Sequence, residues 1–204
     1  MQELPSFQDD WLVVAGDVCD GWTEDRFVSA MSLLKHRFAK VFWTCGNHEL
    51  YTLNSSKDEY KSLRGVAKYE RMVQLCNNVG VLTPEDPYEK WQKPVHAKSA
   101  PPPSGADDVR VPEEREYAYV CPIFTLYDYS FRPHTVSRGK CLEWAQAAKV
   151  MCTDEFTLHA DPYPTKDEWC AARVAQTGDR LDKLMTRTDA DGNAPHTILA
   201  SHFS

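Results

Sequence analysis

WLVVAGDVCD (residues 11–20) and VFWTCGNHE (residues 41–49) share one plan: a short unbroken apolar run, a glycine or alanine-glycine step, then polar residues. Continuous apolar runs bounded by turn residues are the pattern of strands buried on both faces. Between them, Thr23 is placed to cap a helix whose first turn carries Glu24 and Asp25, the charges a helix N-terminus favours. Phe27, Ala30, Met31, Leu34 and Phe38 recur at helical spacing and give that helix one apolar face, and Lys35, His36 and Arg37 suit its last turn. Strand, helix and strand at this spacing predict a βαβ unit with two parallel strands and a right-handed crossover.

Outward from that unit, a second helix is expected over about 57–77, with Tyr60, Leu63, Val66, Tyr69, Val73 and Cys76 on one side, and a strand over 79–82. Residues 94–113 are rich in proline and nearly free of large apolar side chains, so they read as a surface insertion. A strand is expected over 117–126, and helices over 140–150 and 166–187. Thr165 with Glu168 three residues on forms a capping box for the latter. Thr197-Ile-Leu-Ala200 reads as a last buried strand, followed by Ser201-His-Phe-Ser204.

The 204 residues carry 23 Lys+Arg against 30 Asp+Glu, a net charge of −7, which argues against a nucleic-acid or anionic-membrane partner. A chain of this length buries roughly 70% of its unfolded surface, enough for one sizeable core. No apolar stretch approaches the roughly 18 residues of a membrane span. The acidic start, MQELPSFQDD, has neither the basic nor the apolar region of a signal peptide. Seven cysteines without a CxxC pair fit buried thiols in a reducing compartment, so the expectation is a cytoplasmic protein. The sequence sets no oligomeric state.

Asp17, Asn47, His48 and His202 are far apart in the chain, yet each sits just beyond the C-terminal end of an expected core strand. Ligands of α/β sheets bind at that rim, where the loops converge. Carboxylate, amide oxygen and imidazole together suit a divalent transition metal. Gly16 and Gly46 allow the sharp turns that aim the next side chain. Either loop alone reads as an ordinary turn. Both together do not, since a match such as GNHE arises by chance on the order of one time in a thousand at this length.

The order G-D-x-x-D, G-N-H-E and a strand ending in S-H resembles the calcineurin-like metallophosphoesterase family, from residue 11 to residue 203. The resemblance implies an α/β fold, a four-layer α/β/β/α sandwich whose strand ends hold two divalent metal ions, commonly Fe, Zn or Mn. It implies that a phosphate mono- or diester is hydrolysed there by a metal-activated water. On that resemblance Asp17 matches the carboxylate bridging both metals, while Asn47 and His202 match ligands of the second. His48 matches the histidine that reaches the scissile phosphate and assists the leaving group. Asp20 and Glu49 match residues that orient their neighbours.

The family's opening Asp-x-His and closing Gly-His-x-His are absent from residues 1–204. The expectation is therefore one partial domain, a sandwich incomplete at both ends that keeps at most one metal site largely intact. An excerpt of a longer protein, a truncated product and a degenerate homologue all fit. An enzyme acting on a phosphoester substrate leads. The runner-up is a non-catalytic scaffold of the same fold that binds a protein partner. Weaker candidates are His134 and His159 as substrate contacts, Tyr127, Asp128, Tyr129 and Phe131 as cleft walls, and Cys19 and Cys45 as soft ligands. Loop histidines, core aromatics and buried thiols are the commoner uses of such residues.

Overall fold

The structure is a computed structural model and describes residues 4–19, 24–52, 63–92, 117–188 and 192–203. Asp20, the Thr23 cap, residues 57–62 of the expected second helix and the insertion at 94–113 lie outside the described residues. Strand β1 (Phe7–Val14) is followed by helix α1 (Glu24–Arg37) and strand β2 (Phe38–Trp43), and the two strands pair in parallel. The βαβ unit is thus present, with the acidic first turn and basic last turn of α1 in place. Helix α2 (Gly65–Asn78) follows, then β3 (Glu89–Gln92) and β4 (Tyr117–Pro122). The short helices α3 (Cys141–Ala147) and α4 (Asp154–Thr157) lead to the long α5 (Lys166–Met185) and to β5 (Thr197–Ala200). β3, β4 and β5 make a second sheet, β3 antiparallel and β5 parallel to β4.

Several expectations are corrected by the packing. β1 is not buried on both faces: Val13 is 36% exposed, whereas Val41, Phe42 and Trp43 of β2 are sealed. The apolar run is real, but β1 pairs with β2 on one side, and its other edge has no partner among the described residues. β5 is likewise open, with Ile198 and Leu199 about half exposed. Phe38 belongs to β2 rather than to the face of α1. Residues 79–82 form no strand: Leu82 makes one parallel bridge to Phe42, through Trp43 N–H to Leu82 O (2.8 Å) and Leu82 N–H to Val41 O (2.9 Å). β4 stops at Pro122, and Leu126 has a positive φ of 62° that no strand tolerates. The cysteines are thiols, but Cys152 is exposed and Cys19 only half-buried. Among the described residues, no helix is long and apolar enough to cross a membrane.

One buried cluster ties the layers together. Phe27 and Met31 of α1 pack with Val41 and Trp43 of β2, with Tyr69 and Met72 of α2, and with Phe124 and Trp169 beyond β4 and in α5. Phe27 meets Trp43 edge-on, and Phe124 stacks on Tyr69 and meets Trp169 edge-on. α5 starts where its capping box predicts, with the Thr165 hydroxyl accepting from Glu168 N–H at 3.2 Å.

A polar clamp closes this core between α2 and α5. The Glu85 carboxylate accepts from the Tyr69 hydroxyl (2.6 Å), Arg173 Nη2 (2.6 Å) and Gln176 Nε2 (3.0 Å). Burial alone would raise this carboxyl, but the Tyr69, Arg173 and Gln176 donors outweigh it and hold it below its ordinary value of 4.5. A carboxyl depressed in the folded state stabilises above its unfolded value and loses that contribution as pH falls through its folded value. Acid unfolding of the wild type should therefore steepen below about pH 4.5. Glu85→Gln should be less stable at neutral pH, and its stability should fall less between pH 5 and pH 3. Denaturant melts at several pH values check this, and parallel pH profiles would sink the clamp's role.

Candidate active site

Four strand-end side chains meet. β1 ends at Val14, and the chain turns through Gly16 (φ 78°) into Asp17 (φ 54°). β2 ends at Trp43 and runs through Gly46 to Asn47 and a single 3-10 turn at His48–Leu50. β5 ends at Ala200, two residues before His202. Space explains both glycines. A Cβ on Gly16 would stand 2.6 Å from Gly46 N and 2.9 Å from His202 Nδ1, and one on Gly46 would strike the Asp17 carboxylate. Gly16 also adopts the left-handed backbone that glycine supplies. Gly46 does not, so its value lies in close approach rather than in the sharp turn expected from sequence.

Asp17 Oδ2 lies 3.5 Å from His202 Nε2 and 4.0 Å from His48 Nε2. Asp17 Oδ1 accepts from the His48 backbone N–H at 3.1 Å. His202 Nε2 is 3.0 Å from Asn47 Oδ1, and its Nδ1 is 2.8 Å from the carbonyl of Ala15. A carbonyl only accepts, so Nδ1 carries a ring hydrogen and Nε2 is the nitrogen turned toward the two oxygens, Asn47 Oδ1 and Asp17 Oδ2. The His48 ring packs on Tyr51, with centroids 4.6 Å apart, and its side chain is 40% exposed on the same rim.

This donor set fits a divalent cation. Asp17 Oδ2, Asn47 Oδ1 and His202 Nε2 point together, and a carboxylate oxygen, an amide oxygen and a neutral imidazole nitrogen are each electron-pair donors that a divalent cation accepts. Among the described residues, no three His, Cys, Asp or Glu side chains gather closely enough to hold an ion, so the third donor here has to be the amide oxygen. Cys45 is sealed, and its burial pushes the thiol well up, away from the thiolate a metal needs. His134 is exposed on a turn, and His159 accepts from Arg64 Nη2 at 2.8 Å; neither is bonded to the four. Phe131 is 92% exposed and so is no core aromatic.

Glu49 builds the floor. Its carboxylate is buried and accepts from the backbone N–H groups of Asp17 (2.9 Å), Val18 (2.5 Å) and Gly46 (2.9 Å), joining both loops to one side chain. Burial pushes this carboxyl up, against the three amides that pull it down.

Behind Asn47 lies a group that sequence reasoning missed. Asp154, buried at the start of α4, accepts from Asn47 Nδ2 (2.9 Å), from the Tyr51 hydroxyl (2.6 Å) and from the Tyr127 hydroxyl (3.0 Å). Burial would raise its carboxyl, but the Tyr51, Asn47 and Tyr127 donors prevail and hold it below the usual range. Tyr51 follows Asn47 by four residues, a spacing the sequence displays; Asp154, 107 residues on, leaves no local signal. Lys68, fully buried, donates to the Tyr51 carbonyl, and burial lowers its ammonium to about 8.

Glu49→Gln should preserve shape yet turn an amide NH2 toward at least one backbone N–H. A buried donor facing a donor costs about 1–3 kcal/mol, so the variant should unfold at lower denaturant. Glu49→Asp, which keeps the charge but shortens the reach, should also lose stability. A Glu49→Gln melt matching the wild type would rule out the clamp across the two loops.

The calcineurin-like phosphoesterase family matches residues 1–91. The acyl-carrier-protein phosphodiesterase PptH of Mycobacterium tuberculosis is 40% identical over 200 residues, which is 98% of this chain and 52% of that protein. The crystal structure of the phosphopantetheinyl hydrolase PptH from Mycobacterium tuberculosis aligns with a TM-score of 0.76 and 36% identity, over 100% of this chain and 61% of that one. The chain spans about half the length of the curated relative it matches. Over residues 1–91 in sequence, and in its mixed α/β architecture, the chain matches the calcineurin-like metallophosphoesterase family.

Proposed function

We propose that this chain carries the reacting face of a metal-dependent phosphodiesterase whose substrate is the phosphopantetheinyl phosphodiester of an acyl-carrier protein. The observation that supports it best is the convergence of Asp17 Oδ2, Asn47 Oδ1 and His202 Nε2, with His48 on the same rim. The choice of a diester on a carrier protein leans on the names of the relatives, an acyl-carrier-protein phosphodiesterase and a phosphopantetheinyl hydrolase. We place the protein in the cytoplasm, in keeping with seven thiols in one chain.

In this reading Asp17, Asn47 and His202 would hold a divalent ion. Bound divalent ions supply Lewis-acid polarisation of the phosphoryl oxygens and acidify a water to near-neutral pKa. Asn47 adds a donor without adding negative charge, which keeps the site attractive to a phosphate. His202 is oriented by the Ala15 carbonyl, so its Nε2 faces inward as a lone-pair donor. The half-exposed His48 ring is held over the rim by Tyr51, and its Nε2 is placed to donate a proton to the departing alkoxide oxygen.

A generic aryl phosphodiester and a phosphopantetheinylated carrier protein should both be cleaved in the presence of Mn²⁺, and chelation should abolish this. His48→Ala should lower kcat by about 10²–10⁴-fold while metal content stays unchanged. Asn47→Ala should lose metal instead. Metal analysis beside turnover separates the two roles. Loss of metal in His48→Ala would reassign that residue, and a metal-loaded protein that turns over neither substrate would leave the scaffold as the better reading.

A further inference from the structure

We infer that Asp154 is a positioning residue for Asn47, and that its buried carboxylate fixes which end of the Asn47 amide faces Asp17 and His202. The inference rests on the metal reading of those three donors.

The two ends of an asparagine amide are almost the same size, but only the oxygen can donate to a cation. The side-chain torsion that exchanges them is broad and roughly two-fold, so the backbone sets no preference. Something outside Asn47 has to choose. In the structure, both hydrogens of Asn47 Nδ2 are taken, one by the Tyr51 hydroxyl and one by Asp154 Oδ1, each at 2.9 Å. A hydroxyl alone could not decide, because it both donates and accepts. Tyr51 is committed, however: it gives its only hydrogen to Asp154 Oδ1 at 2.6 Å and is left as an acceptor toward Asn47. The Tyr127 hydroxyl is committed likewise, donating to Asp154 Oδ2 at 3.0 Å while Lys166 Nζ lies 3.3 Å from its oxygen.

One Asn47 hydrogen and both tyrosine hydroxyl hydrogens therefore point at Asp154, which has none to give. Were the Asn47 amide reversed, its oxygen would face the Asp154 carboxylate and the oxygen of Tyr51. Charge-assisted bonds of this kind are about twice as strong as neutral ones. No ion pair to the Asp154 carboxylate occurs among the described residues: Lys166 pairs with Glu155 (3.1 Å) and reaches Asp154 through its backbone carbonyl (3.2 Å). An acceptor-only group buried 107 residues away from Asn47, and satisfied wholly by side-chain donors, is what a polarity-setting partner needs.

The test is a swap read by Mn²⁺ titration calorimetry and by melting in chelator. A carboxylate ordinarily binds a divalent cation more tightly than an amide, so coordination chemistry alone predicts that Asn47→Asp raises affinity. The relay predicts the reverse, because the new carboxylate would face Asp154. We expect Asn47→Asp to bind Mn²⁺ about ten-fold or more weakly and to melt at lower temperature in chelator. Adding Asp154→Asn restores a donor–acceptor pair with the roles exchanged. That double variant should recover affinity to within about three-fold of wild type and regain most of the lost melting temperature. Tyr51→Phe, which keeps the ring, should weaken Mn²⁺ binding by a smaller factor. If Asn47→Asp fails to fold, the double variant still decides. Tighter binding by Asn47→Asp, or a double variant that is no better than the single, would overturn the inference. A wild-type protein that binds no Mn²⁺ would instead refute the metal reading on which it stands.

Discussion

Three backbone N–H groups from two loops converge on the Glu49 carboxylate, and the site depends on that convergence. Asp17 and Val18 come from the turn after β1, and Gly46 from the turn after β2. A buried carboxylate is costly to desolvate, and amides pointed at one centre are what offset that cost. The same bonds bring the two turns so close that a methyl group on Gly46 would strike Asp17. Asp17 can then accept from the His48 backbone, and Asn47 and His48 enter the 3-10 turn on the correct side. One carboxylate thus sets the spacing of residues contributed by two strands.

Backbone strain marks the same region. Four non-glycine residues among those described have positive φ: Asp17, Leu126, Tyr129 and Lys149. Such conformations persist only where surrounding bonds over-determine them. Asp17 is held by Glu49. Leu126 and Tyr129 bracket Tyr127, whose hydroxyl ends on Asp154, and Tyr129 itself donates to Glu155 at 2.5 Å. The backbone is therefore distorted both at the rim and at the wall that supports Asn47. Lys149 lies beyond α3 and has no place in this network.

What the sequence displayed was the part encoded locally. Apolar runs ending in glycine placed Asp17 and the Asn47–His48 pair at strand ends, and the helical spacing of Phe27, Met31 and Leu34 drew α1. Exposure escaped it: the run at 11–14 reads as sealed, yet β1 has a single pairing neighbour among the described residues. β3 escaped as well, since Glu89–Gln92 has neither alternation nor a β-branched residue and exists by pairing with β4. Asp154, and the bond that Tyr127 makes to it, were beyond reach for the same reason. Their meaning comes from contacts to residues far away in the chain, and an aspartate in Cys-Thr-Asp-Glu looks like any other helix start.

The three strands that deliver the site are unequally buried, and that inequality assigns them different tasks. β2 is sealed at Val41, Phe42 and Trp43 and presents Asn47 and His48 from a fixed base. β1 and β5, which deliver Asp17 and His202, carry exposed apolar side chains at Val13, Ile198 and Leu199. Their ends are tied down by polar bonds instead: Glu49 holds the β1 turn, and the Ala15 carbonyl holds His202 against it. The second sheet is stitched to the first through the Thr44 hydroxyl and the Ile123 carbonyl at 2.5 Å. A cation shared by Asp17, Asn47 and His202 would bridge all three strand ends, so its binding energy would also be energy of assembly. The less the core holds β1 and β5, the more of the site's order has to come from that bridge.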